Sequence, residues 1–151
     1  MQLKKGRDCM KKVSLILVAV SLMLLSGCAQ MENDVQLTRR IFNDLCAGRQ
    51  GVENLIDWQT LKAIDIDVGL TYSQLRNEKE KKDYRKSFIY NFSKSFKAAG
   101  GRTSNFFNWR IKTQDATGTI VAADTGGQGK VILFTITKMS GQRKLTAINW
   151  E

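Results

Sequence analysis

Three features of the order in which residues fall predict an α+β domain. Up to Ala99 the apolar residues recur at helical spacing, whereas after Arg102 the period drops from 3.6 to 2 and the residues become β-branched and aromatic. The strand-like segments are separated by Ala116-Thr117-Gly118, by the glycine-rich residues 126–129, and by Ser140-Gly141-Gln142, all short enough for hairpins. Helices followed by a run of strands predict N-terminal helices packed on a curved antiparallel sheet of four or more strands, with the longest helix lying across it. A chain of 151 residues that is 42% hydrophobic and 25% charged has the length and composition of one ordinary globular domain.

The first helix is expected over 34–47, with Asp34 as N-cap, Val35, Thr38, Ile41, Phe42 and Leu45 on its apolar face, and Gly48 as its stop. Cys46 lies beside that face and reads as a buried, inert thiol. A short, broken second helical piece is expected from Val52 to Asp57 and on through Ile64, followed by Asp65-Ile66-Asp67 as a solvated turn. The longest helix is expected from Thr71 or Ser73 to Ala99, stopped by Gly100-Gly101. Its Tyr84, Phe88, Phe92 and Phe96 repeat every four residues, with Ile89 and Leu75 beside them, and read as core. Four strands are expected at 105–114, 117–124, 130–138 and 143–150. In the third, Val131 and Leu133 oppose Ile132, Phe134 and Ile136, so both faces are apolar. Either the sheet curls around a pocket or a second subunit covers its open face.

Residues 13–25 are an apolar run behind Lys11 and Lys12, too short to cross a hydrocarbon core of about 30 Å as a helix. The basic start, apolar middle and small residues before a cysteine are the three parts of a secretory leader. Met10 followed by this run is a complete leader by itself, which makes Met10 an alternative start. Leu25-Ser26-Gly27-Cys28 resembles the bacterial lipobox. That resemblance implies cleavage after Gly27 and a lipid-modified, palmitate-bearing Cys28 that holds the protein to the membrane. The expected organisation is a signal peptide over 1–27, a tether with lipidated Cys28 over 28–33, and one domain over 34–151. Ala29 follows the cysteine where the resemblance gives inner-membrane retention to Asp, so the implied address is the cell envelope, in a Gram-negative source the outer membrane facing the periplasm. Nucleic acid is excluded as a partner by that address.

The net charge of +10 is unevenly spread. Residues 76–102 hold nine Lys and Arg against Glu78, Glu80 and Asp83. On the long helix, Lys79, Lys82, Lys86, Tyr90 and Lys97 form a stripe opposite the aromatic one, a candidate surface for anionic lipid or an acidic envelope protein. The chain contains no histidine, which removes the usual general base and the commonest metal ligand. No metal or cofactor is expected.

The order of elements resembles the nuclear transport factor 2-like, or cystatin-like, superfamily of conical α+β domains. The resemblance is carried by Ile41-Phe42-Asn43-Asp44-Leu45, by Leu55-Ile56-Asp57-Trp58, and by the terminal hairpin from Phe134-Thr135-Ile136 to Ile148-Asn149-Trp150. It implies a ligand site at the mouth of the cone and a homodimer through the open sheet face. The candidate pocket residues are Asp57, Trp58, Tyr72, Trp109, Phe134 and Trp150. A binding or assembly module without chemistry is the expected function, working through the pocket or the basic helix. The alternatives are a carrier of lipid or another apolar ligand, and a small enzyme resembling ketosteroid isomerase, for which only Asp57, Tyr72 and Tyr90 are available.

Overall fold

The computed structural model describes residues 32–126 and 129–151, so the leader, Cys28 and most of the tether lie outside the described residues. Asn33–Glu151 pack as one unit. Helix α1 (Asp34–Ala47) has the expected bounds, but its N-cap is Asn33, one residue before the expected Asp34. The Asn33 side chain accepts the N–H of Gln36, and the Gln36 side chain accepts the N–H of Asn33, a reciprocal capping box. Asp34 is thereby released from capping and turns inward. Gly48 closes the helix with φ 74°, a left-handed conformation that costs glycine little. The buried face is Leu37, Thr38, Ile41, Phe42, Leu45 and Cys46, with Leu37 in the place expected for Val35, which is half-buried.

The second helical piece is a correction. A 3-10 turn (Gln50–Leu55) is followed at Ile56 by a parallel bridge to Leu145 and then by an extended hairpin, β1 (Lys62–Ala63) and β2 (Ile66–Asp67). Long-range backbone bonds override the helical pattern there: Asp57 donates its N–H to Leu145 O at 3.0 Å and Ile64 donates to Ile148 O at 2.6 Å. The Asp57 carboxylate meanwhile holds a local turn by accepting from Gln59 N and Thr60 Oγ1.

The long helix is also broken. Helix α2 (Val68–Ser73) is capped by Asp67, whose side chain accepts the N–H of Leu70, and helix α3 (Glu78–Ala98) starts afresh at Asn77. Asn77 accepts the N–H of Glu80 at 2.9 Å while Glu80 accepts from Arg76 N and Asn77 Nδ2, an arrangement that nucleates a new helix instead of continuing the old one.

The strands β3 (Phe106–Gln114), β4 (Gly118–Thr125), β5 (Val131–Met139) and β6 (Gln142–Trp150) form the expected antiparallel meander. The complete sheet has six strands in the order β2-β1-β6-β5-β4-β3, and β1 runs parallel to β6. It is therefore mixed, not purely antiparallel. One glycine-containing turn behaves as expected: Ser140 (φ 48°) and Gly141 (φ 78°) form the two-residue hairpin turn between β5 and β6, whereas residues 127–128 of the glycine-rich turn at 126–129 lie outside the described residues.

Helix α1 lies on β3, β4 and β5, and α3 packs on α1 and on the 3-10 turn. This reverses the expected layering, in which the longest helix lay across the sheet. The reason lies in which faces are apolar. Ile89 and Ser93 of α3 are buried against α1, where Ser93 Oγ donates to Cys46 O at 2.8 Å and sits 3.3 Å from where a Cβ on Gly48 would be. That contact draws α3 towards α1 and leaves its aromatic stripe beside the sheet.

Candidate functional site: an apolar groove beside the long helix

Because α3 rests on α1, a space of about 610 Å³ opens between α3, the inner face of β5 and β6, and the β1–β2 hairpin. That volume is ordinary for a small-molecule site. One wall is the aromatic stripe Tyr84, Phe88, Phe92 and Phe96, all half-buried. The floor is Phe42, Phe106, Ile132 and Ile148. Phe42 holds the floor together by edge contacts with Phe106 at 4.6 Å, Phe134 at 5.4 Å and Phe96 at 5.9 Å between ring centroids. The far rim is Ile64, Ile66 and Trp150, exposed by 43%, 61% and 45% respectively. Three large apolar side chains left in water around one opening are a feature that a plain core would not have.

The local sequence explains the rim. Residues 64–65 form a two-residue turn between β1 and β2, and its first position requires a positive φ, normally supplied by glycine. Ile64 occupies it with φ 55°, an unfavourable conformation for a β-branched residue. The bond from Ile64 N to Ile148 O fixes the tip against β6.

Polar groups reach the groove at two places. Ser87, Asn91 and Ser95 follow one another every four residues along the outer edge of α3, and Asp65 sits at the hairpin tip. Among the described residues no buried side-chain nitrogen or oxygen lacks a hydrogen-bond partner. The floor residues Phe42, Phe106, Ile132 and Ile148 carry no polar side-chain atom. The floor can shield methylenes and rings from water, and this is the chemistry it supports.

Six pocket residues were expected, and the structure brings only Trp150 to the groove. Trp58 is buried in the core, donating Nε1–H to Glu53 O at 2.9 Å. Phe134 is fully buried, and Trp109 stacks on it at 5.5 Å. Tyr72 is buried, and its hydroxyl accepts from Arg85 Nη1 at 2.7 Å while Arg85 Nε pairs with Glu53 at 3.3 Å, which ties α2, α3 and the 3-10 turn together. Burial works against the Arg85 charge, but the bonds to Tyr72 and Glu53 outweigh it and raise its pKa above the usual arginine value. Asp57 is committed to its local turn. The aromatic stripe packs against the core as expected and also forms the groove wall, and Ile64 and Ile66 carried no signal beyond being apolar in a turn. Four aromatics at strict intervals of four drift by about 120° around a helix of 3.6 residues per turn, so the stripe is broad enough to touch the core on one side and border the groove on the other.

The basic stripe is on the surface. Lys79, Lys82, Lys86, Tyr90 and Lys97 are exposed, and Lys79 is paired with Asp83 at 3.1 Å. Across the outer face of the sheet, Arg110 bonds Asp124 at 2.7 Å and Lys112 pairs with Glu151. Arg110, together with Asn108, holds the Asp124 carboxyl below the usual carboxylate range.

Two buried groups lie away from the groove. Asp34 accepts from Thr119 Oγ1 at 2.5 Å and Arg143 Nη1 at 2.7 Å, joining the start of α1 to β4 and β6. Burial alone would raise its pKa; the bonds from Thr119 and Arg143 prevail and lower it below 3.8. Burial pushes the Cys46 thiol up to about 12, so it is neutral and unreactive near neutral pH. Among the described residues no cluster of three or more His, Cys, Asp or Glu could hold a metal ion, and no helix is long and apolar enough to cross a membrane. Compared with known proteins, the chain matches no family model, no curated protein and no solved structure.

Proposed function

We propose that this chain is a lipid-anchored binding module of the cell envelope that takes an apolar ligand into the groove beside α3. The observation that carries the reading is the groove itself: about 610 Å³ walled by aromatic and aliphatic side chains, with Ile64, Ile66 and Trp150 exposed at its mouth. An apolar ligand would remove these from water at a gain of about 25 cal/mol per Å². The absence of polar groups on the floor favours binding over chemistry. The domain is read as a variant of the nuclear transport factor 2-like cone in which the groove is the mouth. The anchor reading rests on Leu25-Ser26-Gly27-Cys28 behind its apolar run.

Two experiments separate the parts. Purified full-length protein, extracted with organic solvent, should release an apolar compound in near-stoichiometric amount, and Ile66→Asp should lose it; an empty wild-type protein in native mass spectrometry would overturn the groove reading. Independently, Cys28→Ala should move the protein out of the membrane fraction, and unchanged fractionation would remove the anchor.

A further inference from the structure

Resting on the groove reading above, we propose that the ligand is an amphiphile with a single acyl chain and an anionic head, and that Lys94 with Asn91 on the edge of α3 receives the head. The chain part follows from length. The wall from Tyr84 to Phe96 spans twelve residues of helix, about 18 Å at 1.5 Å per residue. That is close to the reach of one lipid chain, which covers about half of a 30 Å hydrocarbon core. A second chain would need a second apolar lane, and the other edge of the wall is the polar line Ser87, Asn91, Ser95.

The head part follows from charge. Helix α3 neutralises part of its own charge: Lys79 pairs with Asp83, Lys81 with Glu78 and Arg85 with Glu53, while Glu80 is held in the N-terminal cap. Lys94 has no acidic partner among the described residues and is exposed. It follows Asn91 by three residues and Ser87 by seven, so it stands on the helix edge that borders the groove. Lys82 and Lys86, also without acidic partners among the described residues, belong to the opposite side of the helix. Among the described residues Asp65 is the only charged side chain on the groove lining, and it lies on the hairpin across the mouth. An anion at the α3 edge gains Lys94 and the amide of Asn91 while keeping away from Asp65. A cation would have the reverse preference, which makes the sign of the head the discriminating variable.

The test is calorimetric titration of the full chain with four amphiphiles of equal chain length: palmitate, palmitoyl lysophosphatidate, monopalmitin and hexadecylamine. Both anions should bind more tightly than the neutral and cationic compounds, and the tighter of the two identifies a carboxylate or a phosphate source. Lys94→Gln should weaken the anions about threefold, with the difference shrinking at high salt, and should leave monopalmitin unchanged. Arg39→Gln, an exposed charge on α1, should change none of them. Equal binding of all four, tighter binding of hexadecylamine, or equal losses in the two variants would overturn the head assignment and leave the groove reading intact. Failure of all four to bind would overturn both.

Discussion

Where α1 crosses the sheet, Asp34, Thr119 and Arg143 close the inner face with a fully bonded polar cluster, whereas at the other end of β5 and β6, Ile132 and Ile148 face an open groove. The two ends share β6, which carries Arg143 at one and Ile148 at the other, and Phe134 of β5 pairs with Ile148 in the core beside them. The difference is in what covers them. At the Asp34 end a helix lies directly on the strands, and its first turn brings a carboxylate to an arginine. At the groove end the nearest helix is held by α1 instead, so its aromatic side chains bridge a gap without filling it. A sheet end is sealed when a helix is bonded to it and left open when the helix has a better partner elsewhere.

The comparison can be broken first in the core that supports the groove floor. Phe134→Ala should cost about 3 to 5 kcal/mol in urea unfolding, because a fully buried ring leaves a cavity in contact with Phe42 and Trp109. A loss below about 1 kcal/mol would show that the groove extends into the supposed core.

The closed end is the next target. Asp34→Ala leaves Arg143 and Thr119 without their acceptor and should cost about 2 to 3 kcal/mol. The same carboxylate sets a pH dependence. Its folded pKa lies below its ordinary 3.8, so its contribution is present in full above that value and is lost as pH falls through the lower folded pKa. Wild type should therefore lose stability below about pH 4 more steeply than Asp34→Asn; parallel acid limbs would show that another group controls the acid transition.

The open end should respond in the opposite way. Phe92→Ser and Ile66→Asp should change stability by no more than about 1 kcal/mol while removing ligand binding, since these side chains are half-buried or exposed. The smallest effect belongs to the surface: Lys79→Ala removes an exposed ion pair and should shift stability by at most about 0.5 kcal/mol.

Much of the fold was legible in local pattern. The bounds of α1, the four meander strands and their turns follow from apolar period and turn residues, which act over a few positions. What was not legible was set by distant partners. Residues 56–67 carry a helical apolar pattern, yet backbone bonds to Leu145 and Ile148 pull them into the sheet and make it mixed. Asp34 has the residue type of a cap, but Asn33 takes that place, and the partners of Asp34 are 85 and 109 residues away. The groove was not legible for a related cause: large aromatics are equally suited to a core and to a groove wall, and the stripe on α3 serves as both. Of the six expected pocket residues, Trp150 sits at the end of β6, beyond the last residue that pairs with β1, where a large ring with no covering helix remains exposed.

The central claim is that the open end of the sheet is a binding site and not merely an imperfect core. It is tested most directly by calorimetric titration of palmitate into wild type, Ile66→Asp and Phe107→Asp. Phe107 and Ile66 are both exposed apolar residues, but only Ile66 lines the groove. The account predicts one saturable site in wild type and Phe107→Asp and none in Ile66→Asp; equal binding by all three, or by none, would contradict it.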